Sequence, residues 1–263
     1  MNIPLIDLKA QYKSISEDLD RVTKEVLSSA AYIMGKNVTE FEKEFAEYIG
    51  VKHAISVGNG TDALVIALKS LGIGYGDEVI TSTFTYFASA ECISAVGATP
   101  VFVDVEKDTF NIDPSKIEEK ITDKTKAIIP VHIFGQSAEM DEINEIAKKH
   151  NLKVIEDACQ AVGAKYKGKM IGTLGDAACF SFFPTKNLSC AGDGGMIVTD
   201  NDDIATIAKA LRTHGSGETG QKAYNLLNNI TEDIKTSKDG DDTVYNPVSY
   251  THLRAHETEL HLV

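Results

Sequence analysis

The chain has 263 residues, of which 43% are apolar, with 26 Lys and Arg against 39 Asp and Glu. This is a globular composition rather than a disordered or collagen-like one, and a chain of this length buries enough surface to hold a core without disulfides or metals. The formal charge of −13 repels phosphate backbones and anionic lipid surfaces, which argues against a nucleic-acid binder and against a membrane-surface protein.

Along the chain, short β-branched apolar runs alternate with amphipathic stretches. Strands are predicted at 53–57, 78–82, 99–104, 127–133, 153–157, 177–183 and 195–199, and helices at 12–29, 39–48, 61–71, 86–96, 114–121, 139–149 and 203–212. Such alternation is the pattern of βαβ units. It predicts an α/β fold with a mainly parallel central sheet and helices on both faces, because several strands are continuously apolar. At residues 216–242 the composition turns to Gly, Ser, Thr, Asn, Asp and Lys around Leu226 and Leu227, which predicts a loop or flexible connection. Residues 248–263 match neither neighbouring composition nor capping logic and hold His252, His256 and His261. His252 and His256 are four apart, as a helical metal pair would be, but no third ligand converges on them, so no metal site is expected.

Asp7 interrupts the apolar start of the chain, and no apolar run approaches the ~18 residues of a spanning helix, so neither a signal peptide nor a membrane span is predicted. Cys92, Cys159, Cys179 and Cys190 show no CxxC spacing. They read as the reduced, buried thiols of a cytoplasmic protein.

Three constellations carry chemistry. Gly58-Asn59-Gly60-Thr61-Asp62-Ala63 follows a strand and opens a helix, a geometry whose free N–H groups and positive dipole end cradle phosphate. It also reads as an ordinary strand-turn-helix packed through glycine. A dinucleotide fingerprint is the third possibility, but it requires an acid about 20 residues on, at the end of the second strand. Asp77 and Glu78 precede that strand instead. Asp157, at the end of a buried strand, can pair with a cation, bind a metal, accept a ring N–H, or simply cap a following helix. Finally, the apolar run AACFSFF stops at Pro184 and delivers Lys186 into a loop followed by Gly192-Asp193-Gly194-Gly195. Burial there would lower the lysine pKa and leave an amine able to form a Schiff base; otherwise Lys186 is one more solvated lysine. Ser181 is either strand filler or an anion ligand. Together the three are the fixtures that pyridoxal phosphate requires: a phosphate site, a carboxylate for the pyridinium nitrogen and an amine for the aldehyde.

The segments IPLIDLKAQY, GNGTDAL, GDEVITSTFTYFASA, GATPVFVDV, TKAIIPVHIFGQ, VIEDACQAVGA, SFFPTKNL, GDGGMIVT and RTHG resemble those of the DegT-type sugar aminotransferases, vitamin-B6 enzymes of aspartate-aminotransferase-like fold. The resemblance implies Lys186 as the Schiff-base lysine, Asp157 as the partner of the pyridinium nitrogen, and Gln160 beside the ring oxygen. It further implies Tyr86 stacked on the ring, and Gly60, Thr61 and Ser181 at the phosphate. Related sugar dehydratases carry His in place of the lysine, so Lys186 implies transamination, from glutamate to a nucleotide-linked keto-sugar, in a cytoplasmic homodimer.

Members of that family are longer, with a smaller C-terminal domain and, after the flexible loop, a Tyr-Asn…Arg segment that helps complete the neighbouring subunit's cofactor site, whose start Tyr245-Asn246 resembles. The expected division is therefore a cofactor-binding domain at 1–215, the start of an incomplete C-terminal region at 216–247, and a non-native tail at 248–263, with the C-terminal small domain absent. A truncated chain of this kind has an alternative reading, as an inactive homologue with a binding or regulatory role.

Overall fold

The computed structural model describes residues 6–215 and 217–230. Asp7 opens α1 (Leu8–Ser29) by accepting from the Ala10 N–H at 3.0 Å, and α1 buries none of its own residues. Next, α2 (Lys36–Ile49) lays Phe45, Ala46 and Ile49 on the body of the protein and stops at Gly50, whose φ of 89° only glycine adopts readily. From there strands and helices alternate: β1 (His53–Val57), α3 (Gly60–Ser70), β2 (Glu78–Ser82), α4 (Ala88–Ala95), β3 (Thr99–Val103), β4 (Thr125–Ile129), α5 (Met140–His150) and β5 (Lys153–Asp157). A small ribbon, β6 (Lys165–Tyr166) with β7 (Lys169–Met170), precedes β8 (Ala177–Ser181), β9 (Gly195–Thr199), α6 (Asp202–Arg212) and α7 (Gly217–Leu227).

Seven strands form one sheet in the order β1-β9-β8-β5-β4-β2-β3. The predicted mainly parallel α/β sheet is what forms, with one reversal: β9 runs antiparallel to both β1 and β8. Period-two alternation sorts the sheet's side chains into two cores. Ile55, Val79, Ile129, Ile155, Cys179 and Ile197 meet α3, α4, α6 and α7 on one face. Ala54, Ile80, Ile128, Val154, Phe180 and Val198 meet α2 and α5 on the other.

Several predicted elements differ in their bounds, α1 beginning at Leu8, α2 at Lys36 and β8 ending at Ser181 among them. The strand expected to reach 133 ends at Ile129, because Pro130 has no N–H to continue the ladder, although Val131 still bridges Asp157. The helix expected at 114–121 is two 3-10 turns, Pro114–Lys116 and Glu118–Lys120. The helix expected from 86 begins at Ala88. Where a loop was expected from 216, residues Gly217–Leu227 are helical: Ala223 is fully buried, and Tyr224 and Leu227 pack on the α6 side of the core. The rest of the connection beyond 230, Tyr245-Asn246, the His252 and His256 pair and the tail at 248–263 lie outside the described residues.

Gly220 lets α7 reach this position, because a Cβ there would run into the Gly215 carbonyl. Replacing Gly with Ala inside a helix ordinarily stabilises by about 1 kcal/mol. Here the sign is expected to invert: Gly220→Ala should destabilise by about 1–3 kcal/mol, seen as a lowered melting temperature.

Candidate active site

The C-terminal edge of the sheet gathers the residues singled out by sequence. Val57 and Ser181 both pair with Gly195, and Asp157 pairs with Cys179 one step further along. Alternation turns Asp157 and Ser181 toward the face on which α3 lies, and both are buried. The N-terminus of α3 points into the same place. Asn59 caps it, its side chain accepting from the Asp62 N–H at 2.8 Å and its carbonyl from the Ala63 N–H at 3.1 Å. That leaves the Gly60 and Thr61 N–H groups as the donors of the first turn without a partner among the described residues.

Close approach depends on glycine. A Cβ on Gly60 would lie 2.8 Å from both Cys159 Sγ and Ser181 Cβ, and one on Gly195 would run into the Asn59 carbonyl. Sequence reasoning found Gly60 but gave Gly195 no role. Its function is visible only once β9 is seen passing beneath the helix start. Glu78, by contrast, begins β2, and the strand ends at Ser82, so the dinucleotide reading lacks its acid at the end of the second strand.

Asp157 is not a helix cap, since turns rather than a helix follow β5. One carboxylate oxygen accepts from the Ser89 hydroxyl at 2.6 Å and the other from the Cys159 N–H at 3.2 Å. Ser89 is fully buried in α4, shares a 2.7 Å bond with the Thr85 hydroxyl, and donates its N–H to the Tyr86 carbonyl at 3.2 Å. It therefore ties the Tyr86 segment to Asp157, a role that only the fold reveals. Tyr86 itself stands in the lead-in to α4 with 73% of its surface exposed.

Gln160 lies just beyond Asp157, and its side-chain oxygen accepts from the Phe134 N–H at 2.8 Å. This bond fixes the amide orientation and turns the NH2 end away from Phe134. The loop 182–194 leaves the sheet at Ser181 and returns at Gly195; Phe182 N–H to Gly194 O and Cys190 N–H to Phe182 O, both 2.8 Å, tie its ends. Lys186 is half-buried in this loop, where its N–H closes a turn on Phe183 O at 2.8 Å. The loop brings its positive charge within electrostatic reach of the Cys159 thiol. Desolvation, and after it the Asp157 carboxylate, push the Cys159 and Cys179 thiols well above the usual range, and Cys92 rises for the same two reasons.

Comparison with known proteins bears on the fold and the family. The solved structure of NtdA from Bacillus subtilis with bound cofactor PMP superposes with a TM-score of 0.78 at 34% identity, over 86% of this chain and 55% of that one. The fold is thus that of the pyridoxal-phosphate-dependent aminotransferases. Residues 13–231 match the DegT/DnrJ/EryC1/StrS aminotransferase family, and the chain belongs to it. A pleiotropic regulatory protein of Geobacillus stearothermophilus is 54% identical over 82% of this chain and 58% of its own length. A UDP-2-acetamido-2-deoxy-3-oxo-D-glucuronate aminotransferase of Pseudomonas aeruginosa is 50% identical over 81% of this chain and 59% of its own. The chain thus spans less than two thirds of the curated relatives it matches.

Two outcomes test the site as built. Gly60→Ala should destabilise by about 1–3 kcal/mol, measured by denaturant unfolding, because Ser181 Cβ, fixed to β8, and Cys159 Sγ crowd the new Cβ. Raised thiol pKa values mean less thiolate at pH 8, so Cys92, Cys159 and Cys179 should resist iodoacetamide in the native protein and react once it is denatured.

Proposed function

We propose that the chain carries the cofactor-binding part of a pyridoxal-phosphate-dependent aminotransferase that moves an amino group from glutamate to a nucleotide-linked keto-sugar, for amino-sugar and polysaccharide synthesis. The observation that carries this reading is the meeting of the α3 N-terminus, Ser181, Asp157 and the Lys186 loop at one edge of the sheet. The donor set fits the cofactor: N–H groups and hydroxyls suit a phosphate monoester, a buried carboxylate suits a protonated ring nitrogen, and an amine suits an aldehyde. When bound, pyridoxal phosphate supplies an electron-poor ring that takes up the electron pair released as a C–H bond next to nitrogen breaks.

In this reading Gly60 and Thr61 bind the phosphate through N–H groups and the Thr61 hydroxyl, and Ser181 adds a second hydroxyl. Asp157 holds the proton on the ring nitrogen, and Gln160 donates its NH2 to the ring oxygen. Tyr86 covers the ring face, its large exposed aromatic surface suited to stacking. Lys186 anchors the aldehyde carbon. Once displaced by the amino donor, its amine takes the proton from the donor's α-carbon and returns it, acting as general base and then as general acid.

The division proposed is a cofactor-bearing domain in residues 1–215 with α7 docked on it, followed by the connection to a C-terminal region. A homodimer is proposed because Tyr86 and Phe87 stand exposed beside the site, where a second copy would cover them. Four free cysteines accord with a cytoplasmic setting. A relative named a pleiotropic regulatory protein favours one second reading, a binding or regulatory role without turnover.

Mixing the protein with pyridoxal phosphate should give a visible absorbance band that borohydride fixes covalently and that Lys186→Ala abolishes. Glutamate should bleach the band and a keto-sugar nucleotide restore it. A band that forms but does not respond to glutamate supports the regulatory reading; no band at all refutes the cofactor assignment.

A further inference from the structure

Directly behind Asp157, on the opposite face of β5, Glu156 and His132 are both fully buried. The Glu156 carboxylate is not a stray charge. Oε1 accepts from the Leu174 and Gly175 N–H groups at 2.8 and 2.9 Å, and Oε2 accepts from the Gly172 N–H at 3.0 Å. These three N–H groups form a backbone nest of the kind that elsewhere receives free anions. The nest is built for close approach: Gly172 has a φ of 103°, and a Cβ on Gly175 would lie 2.7 Å from the Val154 carbonyl.

The fourth partner is His132, whose Nε2 lies 3.0 Å from Oε2. Its Nδ1 accepts from the Ala138 N–H at 3.1 Å, so the ring proton is on Nε2 and is donated to Glu156. The same residue reaches Asp157 through the main chain. The His132 N–H donates to the Asp157 carbonyl at 3.0 Å, while the Asp157 N–H donates to the Pro130 carbonyl at 2.9 Å. The circuit closes on itself: the Glu156 side chain to the His132 ring, the His132 main chain to Asp157, and Asp157 to Glu156 by the peptide bond. Both peptide groups of Asp157 are thereby fixed in space, and with them the direction in which its carboxylate leaves the strand.

We propose that Glu156 and His132 are positioning residues that aim the Asp157 carboxylate at the cofactor. A role in the core alone does not call for a carboxylate, since apolar residues of similar volume commonly hold a core at least as well as buried ionised groups do. The inference rests on the reading that Asp157 pairs with the cofactor ring.

The test is a double-mutant cycle on the 263-residue chain, read as pyridoxal phosphate affinity by absorbance or fluorescence titration, with circular dichroism and melting temperature as the check on folding. Asp157→Asn should weaken binding strongly. Glu156→Gln presents an NH2 to donors whichever way its amide turns, and should weaken binding about tenfold in protein that is still folded, as loss of an outer partner does at other ligand-holding side chains. Added to Asp157→Asn, it should cost little more, because it acts through the group already lost. Should Glu156→Gln not fold, His132→Leu takes its place in the cycle, while His132→Gln, which keeps an N–H for Glu156, should retain most of the affinity. Losses that add, or a folded Glu156→Gln with wild-type affinity beside a weakened Asp157→Asn, overturn the proposal. An Asp157→Asn chain that binds as wild type overturns instead the reading of Asp157 on which it rests.

Discussion

Everything at the candidate site depends on how near a helix start can come to the ends of the strands beneath it. The first turn of α3 rests on β8 and β9 at distances that leave no room for a methyl group at Gly60 or at Gly195. Glycine at such positions costs conformational entropy in the unfolded chain, and the fold recovers it by bringing unpaired N–H groups against Ser181 and the end of β5. With bulkier residues the helix would have to withdraw, and the same donors would point at nothing in particular.

The second constraint is the two-residue period of a strand. Consecutive acids at the end of β5 face opposite ways, Asp157 toward the α3 face at the C-terminal edge and Glu156 into a backbone nest, so one strand end buries two carboxylates in different surroundings. Ser89 does for the front of Asp157 what His132 does for its back. Ser89 holds the carboxylate and His132 the main chain of the same residue.

Much of the fold was legible in the sequence because strands buried on both faces read as apolar runs, as in AACFSFF and the AII of β4. The places where β1, β5 and β8 end at one edge were legible for a related reason: strand ends and helix starts carry their own punctuation, in Gly58-Asn59-Gly60, Asp157 and Pro184. What escaped was non-local. The segment 216–242, with its Gly, Ser, Thr, Asn, Asp and Lys, looks like a loop, and packing of Ala223, Tyr224 and Leu227 on α6 and the core accounts for the helix at α7. Ser89, Gly195 and His132 look ordinary in their own segments. Their roles come from partners 68, 136 and 24 residues away, at Asp157, Asn59 and Glu156, which no local pattern encodes.

The reversal of β9 has an effect beyond the sheet itself. In a parallel crossover, the chain leaving one strand must travel the length of the sheet before it can return, and a residue on that path is tied to the helix that makes the journey. Because β9 folds straight back on β8, the lysine-bearing segment begins and ends at neighbouring residues, Ser181 and Gly195. It is a ring closed at its base. Its length and sequence can vary with little effect on the layers above and below, since closing a longer ring costs only slowly more entropy. The segment that carries Lys186 is thus open to change in a way that the layered elements around it are not.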